Sequence, residues 1–335
     1  MSDGAEAEHG VRQEIESLLH TGRVLAAKPL LDRLDPVAKE AIAQLATQVE
    51  TACAEVEAAL VAVEHPSSSD EWTLALDGDL LTFYRPPVEE HVHGVWFSGT
   101  LGSTTQHVVS LAREFDLVSS FAGRFLFDTR IVNVERLLSL TVYSALWVPV
   151  FTDRDFAVTA CGYDCLDEHG CVIIVFQDAA ERYESQLPVE ASSRVRLRFK
   201  RSFLQLCPRP GNRTRATLVC DINPRMPGDI DVPAWLVNWA LAHMCPFIWS
   251  RANAVVASVC RSETCPYAAR MEANPALYAL VASREEAVRV KLAGDDPEDA
   301  APAQAHDAYP PGAGTGMFSR LAAAWRGDAE VPMPV

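Results

Sequence analysis

Between Ile131 and Ile222, six segments rich in β-branched and aromatic residues follow one another with short turn groups between them. They run Ile131 to Leu138, Leu140 to Val148, Phe156 to Tyr163, Cys171 to Gln177, Arg194 to Leu206 and Thr214 to Ile222. DEHG at 167 to 170 and PRPGN at 208 to 212 supply turn chemistry. The pattern is that of a long antiparallel meander. Upstream, Trp72 to Leu76 and Leu80 to Tyr84 flank Asp77-Gly78-Asp79, the clearest hairpin signal in the chain. A third strand, Gly94 to Leu101, follows, and Ser103 then caps a helix whose Val108, Leu111, Ala112 and Phe115 share a face.

The meander ends at a segment of different character. Asp231 serves as N-cap and Pro233 lies in the first turn of an expected helix that is apolar nearly all round, through Trp235, Leu236, Val237, Trp239, Leu241, Met244, Phe247 and Ile248. Such a helix has to be covered on several sides. If the sheet wraps one side, the other is left for the core, a ligand or a membrane. Asn238 and His243 are its polar exceptions, suited to orienting a bound molecule in an apolar wall. Pro246 is expected to kink or hinge it. The run is interrupted and shorter than the ~20 residues a bilayer span needs.

Before the strands, Val11 to Val63 shows apolar residues at spacings of three and four, punctuated by Gly22 and Pro36, which predicts helices near 10 to 21, 24 to 34 and 36 to 63. HPSSSD at 65 to 70 marks a boundary, and GDDPEDAAPAQAHDAYPPGAGTG at 294 to 316 has the composition of disorder. The expected organisation is a helical segment over 1 to 66, a main domain over 67 to 292, and a tail over 293 to 335. Met317, Phe318, Leu321 and Trp325 of that tail could form a short amphipathic helix. A net charge of −16 over 335 residues argues against nucleic acid as partner. No apolar leader is visible at the N-terminus, so the expected compartment is cytoplasmic. Nine cysteines, an odd number without a C-x-x-C pair, point to thiols rather than a disulfide framework.

The order of elements resembles the START family of lipid transfer domains, and short motifs agree over about 70 to 292. Val148-Pro-Val-Phe-Thr-Asp-Arg154-Asp155-Phe156 is similar to the family's Pro-containing turn into Arg-Asp-Phe. Asp229-Ile-Asp231-Val-Pro233-Ala-Trp235-Leu-Val-Asn238 is similar to its entry to the last helix. The chain looks most like the plant and algal START-like type, in which a helical leader precedes the domain. The resemblance implies an α+β helix-grip fold, a curved antiparallel sheet around a long C-terminal helix over an apolar cavity. It also implies non-catalytic lipid binding, with transfer or sensing as the task. Positions that look like the buried acid and base of the sterol-binding branch are Thr141 and Ala160, neither of which ionises.

On this reading the ligand is a phospholipid, a sterol or another apolar small molecule, and no cofactor or metal is expected. The candidate ligand-binding residues are Tyr143, Trp147, Arg154, Trp235, Asn238, Trp239, His243 and Phe247. Tyr143 and Trp147 share a strand face. Arg154 and Asp155 point to opposite faces, so each needs a partner other than its neighbour. Arg194, Arg196, Arg198 and Lys200 alternate with Val195, Leu197 and Phe199. With Arg213 and Arg215 they form a basic face that either meets anionic headgroups or pairs with acids of neighbouring strands. The candidate membrane contacts are Arg196, Arg198, Lys200, Arg213 and Arg215. A protein partner could dock on the N-terminal helices. The standard hydrolase, kinase and dinucleotide motifs are missing, and a polyketide cyclase or aromatase built on the same fold is the enzymatic alternative.

Overall fold

The computed structural model describes residues 2–66, 70–87, 91–123, 125–147, 152–188, 193–224, 237, 241, 245–259 and 264–295. Four helices open the chain: α1 (Ser2–His20), α2 (Val24–Arg33), α3 (Pro36–Ala41) and α4 (Ala43–Ala62). The expected single helix over 36 to 63 is thus broken at Ile42, whose φ of −120° leaves the helical region without a glycine or proline to announce it. The strands are β1 (Thr73–Leu76), β2 (Leu80–Arg85), β3 (His93–Leu101), β4 (Leu126–Arg136), β5 (Ser139–Leu146), β6 (Arg154–Cys165), β7 (Cys171–Asp178), β8 (Val195–Arg196), β9 (Arg198–Arg209) and β10 (Arg213–Asn223). Helices α5 (Thr105–Arg113), α6 (Ser119–Ala122), α7 (Leu166–His169) and α8 (Ala180–Tyr183) lie between strands. Helices α9 (Cys245–Val259), α10 (Pro266–Ala273) and α11 (Pro275–Asp295) follow them.

The strands form one sheet in the order β1-β2-β3-β10-β9-β7-β6-β5-β4, with β8 adding a short parallel pairing to β6. All other pairings are antiparallel. The expected strand Arg194 to Leu206 is divided, because Val195 and Arg196 pair with Arg154 and Asp155 of β6 before β9 begins. The result is an α+β helix-grip architecture, and both faces of its sheet are covered.

Side chains alternate between the two faces, so the register sorts the core into separate layers. On the back, Phe83, Trp96, Tyr163, Ile173, Val175, Phe203 and Val219 pack against Ile15, Leu19, Val24, Leu31, Val49 and Val56 of α1, α2 and α4. On the front, Leu101, Ala160, Val172, Ile174, Leu206 and Ala216 pack against Val108 and Val109 of α5, Val256 of α9, and Leu277, Tyr278, Val281 and Val288 of α11. Gly99 makes room for α9, since a Cβ there would meet Trp249 at 2.6 Å.

The leader is pinned to the sheet where backbones nearly touch. Gly22 has φ +77°, its carbonyl accepts from Asp164 N at 3.0 Å, and a Cβ on it would meet the Gly162 carbonyl at 2.8 Å. Any other residue meets both left-handed strain and a backbone clash. Gly22→Ala is therefore expected to cost about 1–3 kcal/mol, read as a lower denaturation midpoint, with α1 losing hydrogen-exchange protection before the sheet does.

Helix α5 is capped differently from the expectation. Ser103 Oγ donates to Val256 O at 3.2 Å, while the α5 amides of Thr105 and Gln106 donate to the buried Glu285 carboxylate of α11 at 2.7 and 3.2 Å. A full negative charge at the helix N-terminus is a stronger acceptor than a hydroxyl. Arg289 pairs with Glu285 at 2.6 Å. The same helix reaches the β6–α7 corner, where Arg284 pairs with Asp164 and Asp167.

Candidate functional site

The front face divides into two halves. One is the layer under α5, α9 and α11. The other is built from Leu140 and Val142 of β5, Phe156 and Val158 of β6, and Leu197 between β8 and β9, all buried. Half-buried Leu126, Ile131, Leu146, Phe176, Phe199 and Ile222 continue it, and Phe115, from the turn after α5, closes one side. Phe156 is central, meeting Phe199 edge-on at 5.3 Å and Phe115 at 6.2 Å between ring centroids. Six strands thus supply an apolar trough. It exists because the even-numbered positions of β5, β6 and β7 are apolar where they face it, apart from Ser144, Arg154 and Asp178 at its ends.

Polar groups are few and sit at its margins. Arg154 emerges on the Phe156 side, is buried, and donates to the backbone carbonyls of Thr152 and Pro224. Burial lowers its pKa and Asp153 opposes that shift. His93 starts β3 next to Ile222 of β10, and its Nδ1 lies 2.9 Å from the Tyr84 hydroxyl. Cys220, two residues before Ile222 and on the same strand face, has its thiol pushed up to about 12 by burial, and Cys245 at the start of α9 is pushed to about 11 for the same reason. Both are neutral thiols near pH 7 rather than nucleophilic thiolates. The arrangement can hold an extended apolar molecule and address a polar end of it at Arg154 or at the Tyr84–His93 pair.

Human StAR-related lipid transfer protein 5 superposes on this chain with a TM-score of 0.51 at 13% identity, over 66% of this chain and 98% of that one. The chain has a START-like fold. Also similar is a STAR-related lipid transfer protein from Xanthomonas axonopodis, with a TM-score of 0.45 at 14% identity over 56% of this chain and 99% of that one. Zhui aromatase/cyclase from Streptomyces sp. R1128 gives 0.35 at 10% identity over 52% and 99%. No family model and no curated protein sequence matches the chain.

Within this START-like fold the residues singled out from the sequence separate. Trp235, Asn238, Trp239 and His243 lie outside the described residues. Phe247 is half-buried in α9, with the Arg251 guanidinium 5.3 Å from its ring centroid. Arg154 is placed at the trough. Tyr143 is placed on the back face with Ala157, fully buried, and Trp147 follows β5 half-buried, its amide donating to Phe125 O. Thr141 is also on the back, 2.9 Å from the Thr159 hydroxyl, whereas Ala160 faces the layer under α5.

The basic residues are likewise divided. Arg194 pairs with Asp128 at 2.9 Å, and Arg196 with the buried Asp155 at 2.5 Å. Arg198 is half exposed with a weak 3.4 Å contact to Glu181, and Lys200 is exposed. Arg213 and Arg215 stand at the far end of β9 and β10, donating to Pro210 O and Ser98 Oγ. His93 is the site residue that sequence reasoning missed. Only its pairing with β10 brings it to the trough.

Among the described helices none is long and apolar enough to cross a membrane.

Proposed function

We propose that this chain binds a lipid non-covalently in the front-face trough and acts as a lipid carrier or sensor rather than as a catalyst. The observation that carries the reading is the apolar cluster that runs from Leu140 to Ile222 on a START-like fold. Each methylene buried there is worth about 0.8 kcal/mol relative to water, so burial in the trough offsets the exposure to water that an acyl chain or a sterol skeleton would otherwise meet on leaving a bilayer. Arg154 suits an anionic or carbonyl-bearing end of the ligand. With neither Thr141 nor Ala160 ionisable, a sterol held by a buried acid and base is disfavoured against a ligand held by its apolar body.

The membrane encounter falls to Arg198 and Lys200, which are exposed on the strand that also carries Phe199 into the trough. Arg196 is spent on Asp155. The protein then works in the cytoplasm and touches membranes peripherally. A protein partner of the leader would meet its outward surface, because the apolar stripe of α1, α2 and α4 is committed to the sheet.

The test is a native mass spectrum of the full chain purified without detergent, with lipid extraction of the same sample. A stoichiometric lipid adduct is expected. An empty protein that also takes no lipid from mixed liposomes would remove the carrier reading and promote a cyclase-like activity on the same trough.

A further inference from the structure

A second concavity lies on the opposite face of the sheet, between the helical leader and strands β4 to β7. It is a cleft of about 240 Å³ whose floor is Leu138, Ser139, Cys161, Gly162 and Tyr163, and whose rim is drawn from α1 and α4. That volume is below the roughly 300–1,000 Å³ of sites for drug-sized ligands, and its rim carries Thr47, Gln48 and Thr51. It therefore fits a small polar molecule.

The charges lining the cleft decide which kind. Glu135 is paired within the protein, its Oε1 accepting from the Tyr183 hydroxyl at 2.7 Å and pairing with Arg182 at 3.1 Å. Arg136 is not balanced in this way. Its guanidinium donates to Gln48 Oε1 at 2.8 Å and meets no carboxylate among the described residues, although it carries five N–H donors in a fixed fork. Glu55 is the mirror case. It accepts from the neutral Tyr163 hydroxyl and the Gln177 amide, both at 2.5 Å, and pairs with no cation among the described residues. Two of its roughly four lone-pair sites remain.

Arg136 and Glu55 do not pair with each other, yet both act on Cys161 between them. Burial pushes that thiol up and its hydrogen bond with Ser139 pulls it down, while Glu55 and Glu135 add to the push and Arg136 opposes it. The two unbalanced charges of the cleft are thus of opposite sign and held apart across one small cavity.

We propose that the cleft binds a small zwitterion, its carboxylate or phosphate on the Arg136 fork and its ammonium on Glu55. A ligand with either charge alone would leave the other cleft charge uncompensated, which is the basis of selectivity. The chemistry is shared by free amino acids and by the phosphoethanolamine headgroup, and the site is independent of the trough.

The experiment is a titration of the 15N-labelled full chain in low-salt buffer with L-serine, O-phosphoethanolamine and L-lactate, following amide shifts. Saturable shifts confined to the amides around Gly22, Thr51 and Gly162 are expected with a zwitterion, with a dissociation constant near 1 mM or below and lactate at least tenfold weaker. Serine alone would assign the site to amino acids, and phosphoethanolamine alone to a phosphate-bearing headgroup. R136Q and E55Q should each weaken the zwitterion at least tenfold, and R136K, which keeps the charge but loses the fork, should weaken it less. E55Q preserves an acceptor for Tyr163, so at least that variant keeps the local fold. The proposal is overturned if neither zwitterion gives saturable shifts at the cleft, if lactate binds as well as serine, or if E55Q binds unchanged.

Discussion

Replacing Asp155 with alanine should cost about 3 kcal/mol of stability, the lower end of what breaking a buried ion pair costs. The side chain is fully buried, and its Oδ1 accepts from Arg196 Nε at 2.5 Å. Its Oδ2 accepts from Arg196 Nη2 and from the Tyr143 hydroxyl, each at 3.1 Å. Arg194 then donates to that hydroxyl at 2.6 Å. Burial is the first cause that pushes Tyr143 up to about 12, so it stays a neutral hydrogen-bonding phenol and the carboxylate is the charge that balances Arg196. Removing that carboxylate leaves a guanidinium whose side chain is only 18% exposed, and the remaining contact with water keeps the loss near the lower end. Urea unfolding measures the change. Because the damage is an uncompensated charge, D155A/R196M should recover at least half of it. If the double variant is as unstable as the sum of the singles, the pair is not what holds β8 to β6.

Asp155 and its neighbour Arg154 show how far the sequence could be read. Adjacent strand residues point to opposite faces, so it was legible that Arg154 and Asp155 could not serve each other, and the structure sends one to the trough and the other to Arg196. The Asp77-Gly78 hairpin, the long meander and the helical leader followed from period and turn chemistry in the same way, because each is written in neighbouring residues. What pairs β3 with β10, and so carries His93 to the trough, is a contact between residues more than a hundred positions apart, for which one sequence holds no local signal. The face that Tyr143 joins was not legible for a related reason: alternation says which residues share a face, not which face meets which layer. Helices α10 and α11 escaped for another. Pro266 and Pro275 mark their first turns, and Leu277, Val281 and Val288 have helical spacing, but the buried side of α11 also carries Glu285, whose charge blurs the apolar stripe and finds its use only at the N-terminus of α5.

Phe199→Glu should lower lipid occupancy at least tenfold while the protein stays folded, a change of about 1.4 kcal/mol or more in binding. The ring is half-buried in the trough against Phe156, so the new carboxylate stands where an acyl chain or ring system would lie. Keeping it hydrated excludes the lipid, and burying it costs several kcal/mol. Its neighbour is the control, since a shift of one strand position moves a side chain to the other face. Arg198→Glu places the same charge in the same strand on the opposite side, where the native side chain is half exposed. Under the proposed function it should leave occupancy in the purified protein unchanged and slow lipid pick-up from anionic liposomes, because Arg198 belongs to the membrane encounter and not to the trough. Bound lipid per chain, measured by extraction from both variants beside circular dichroism and thermal midpoints, separates these effects. Equal loss in both would mean that net charge rather than the trough governs binding. Loss in neither would place the lipid elsewhere on the molecule, and an apolar face built from six strands would then have to be explained by packing alone.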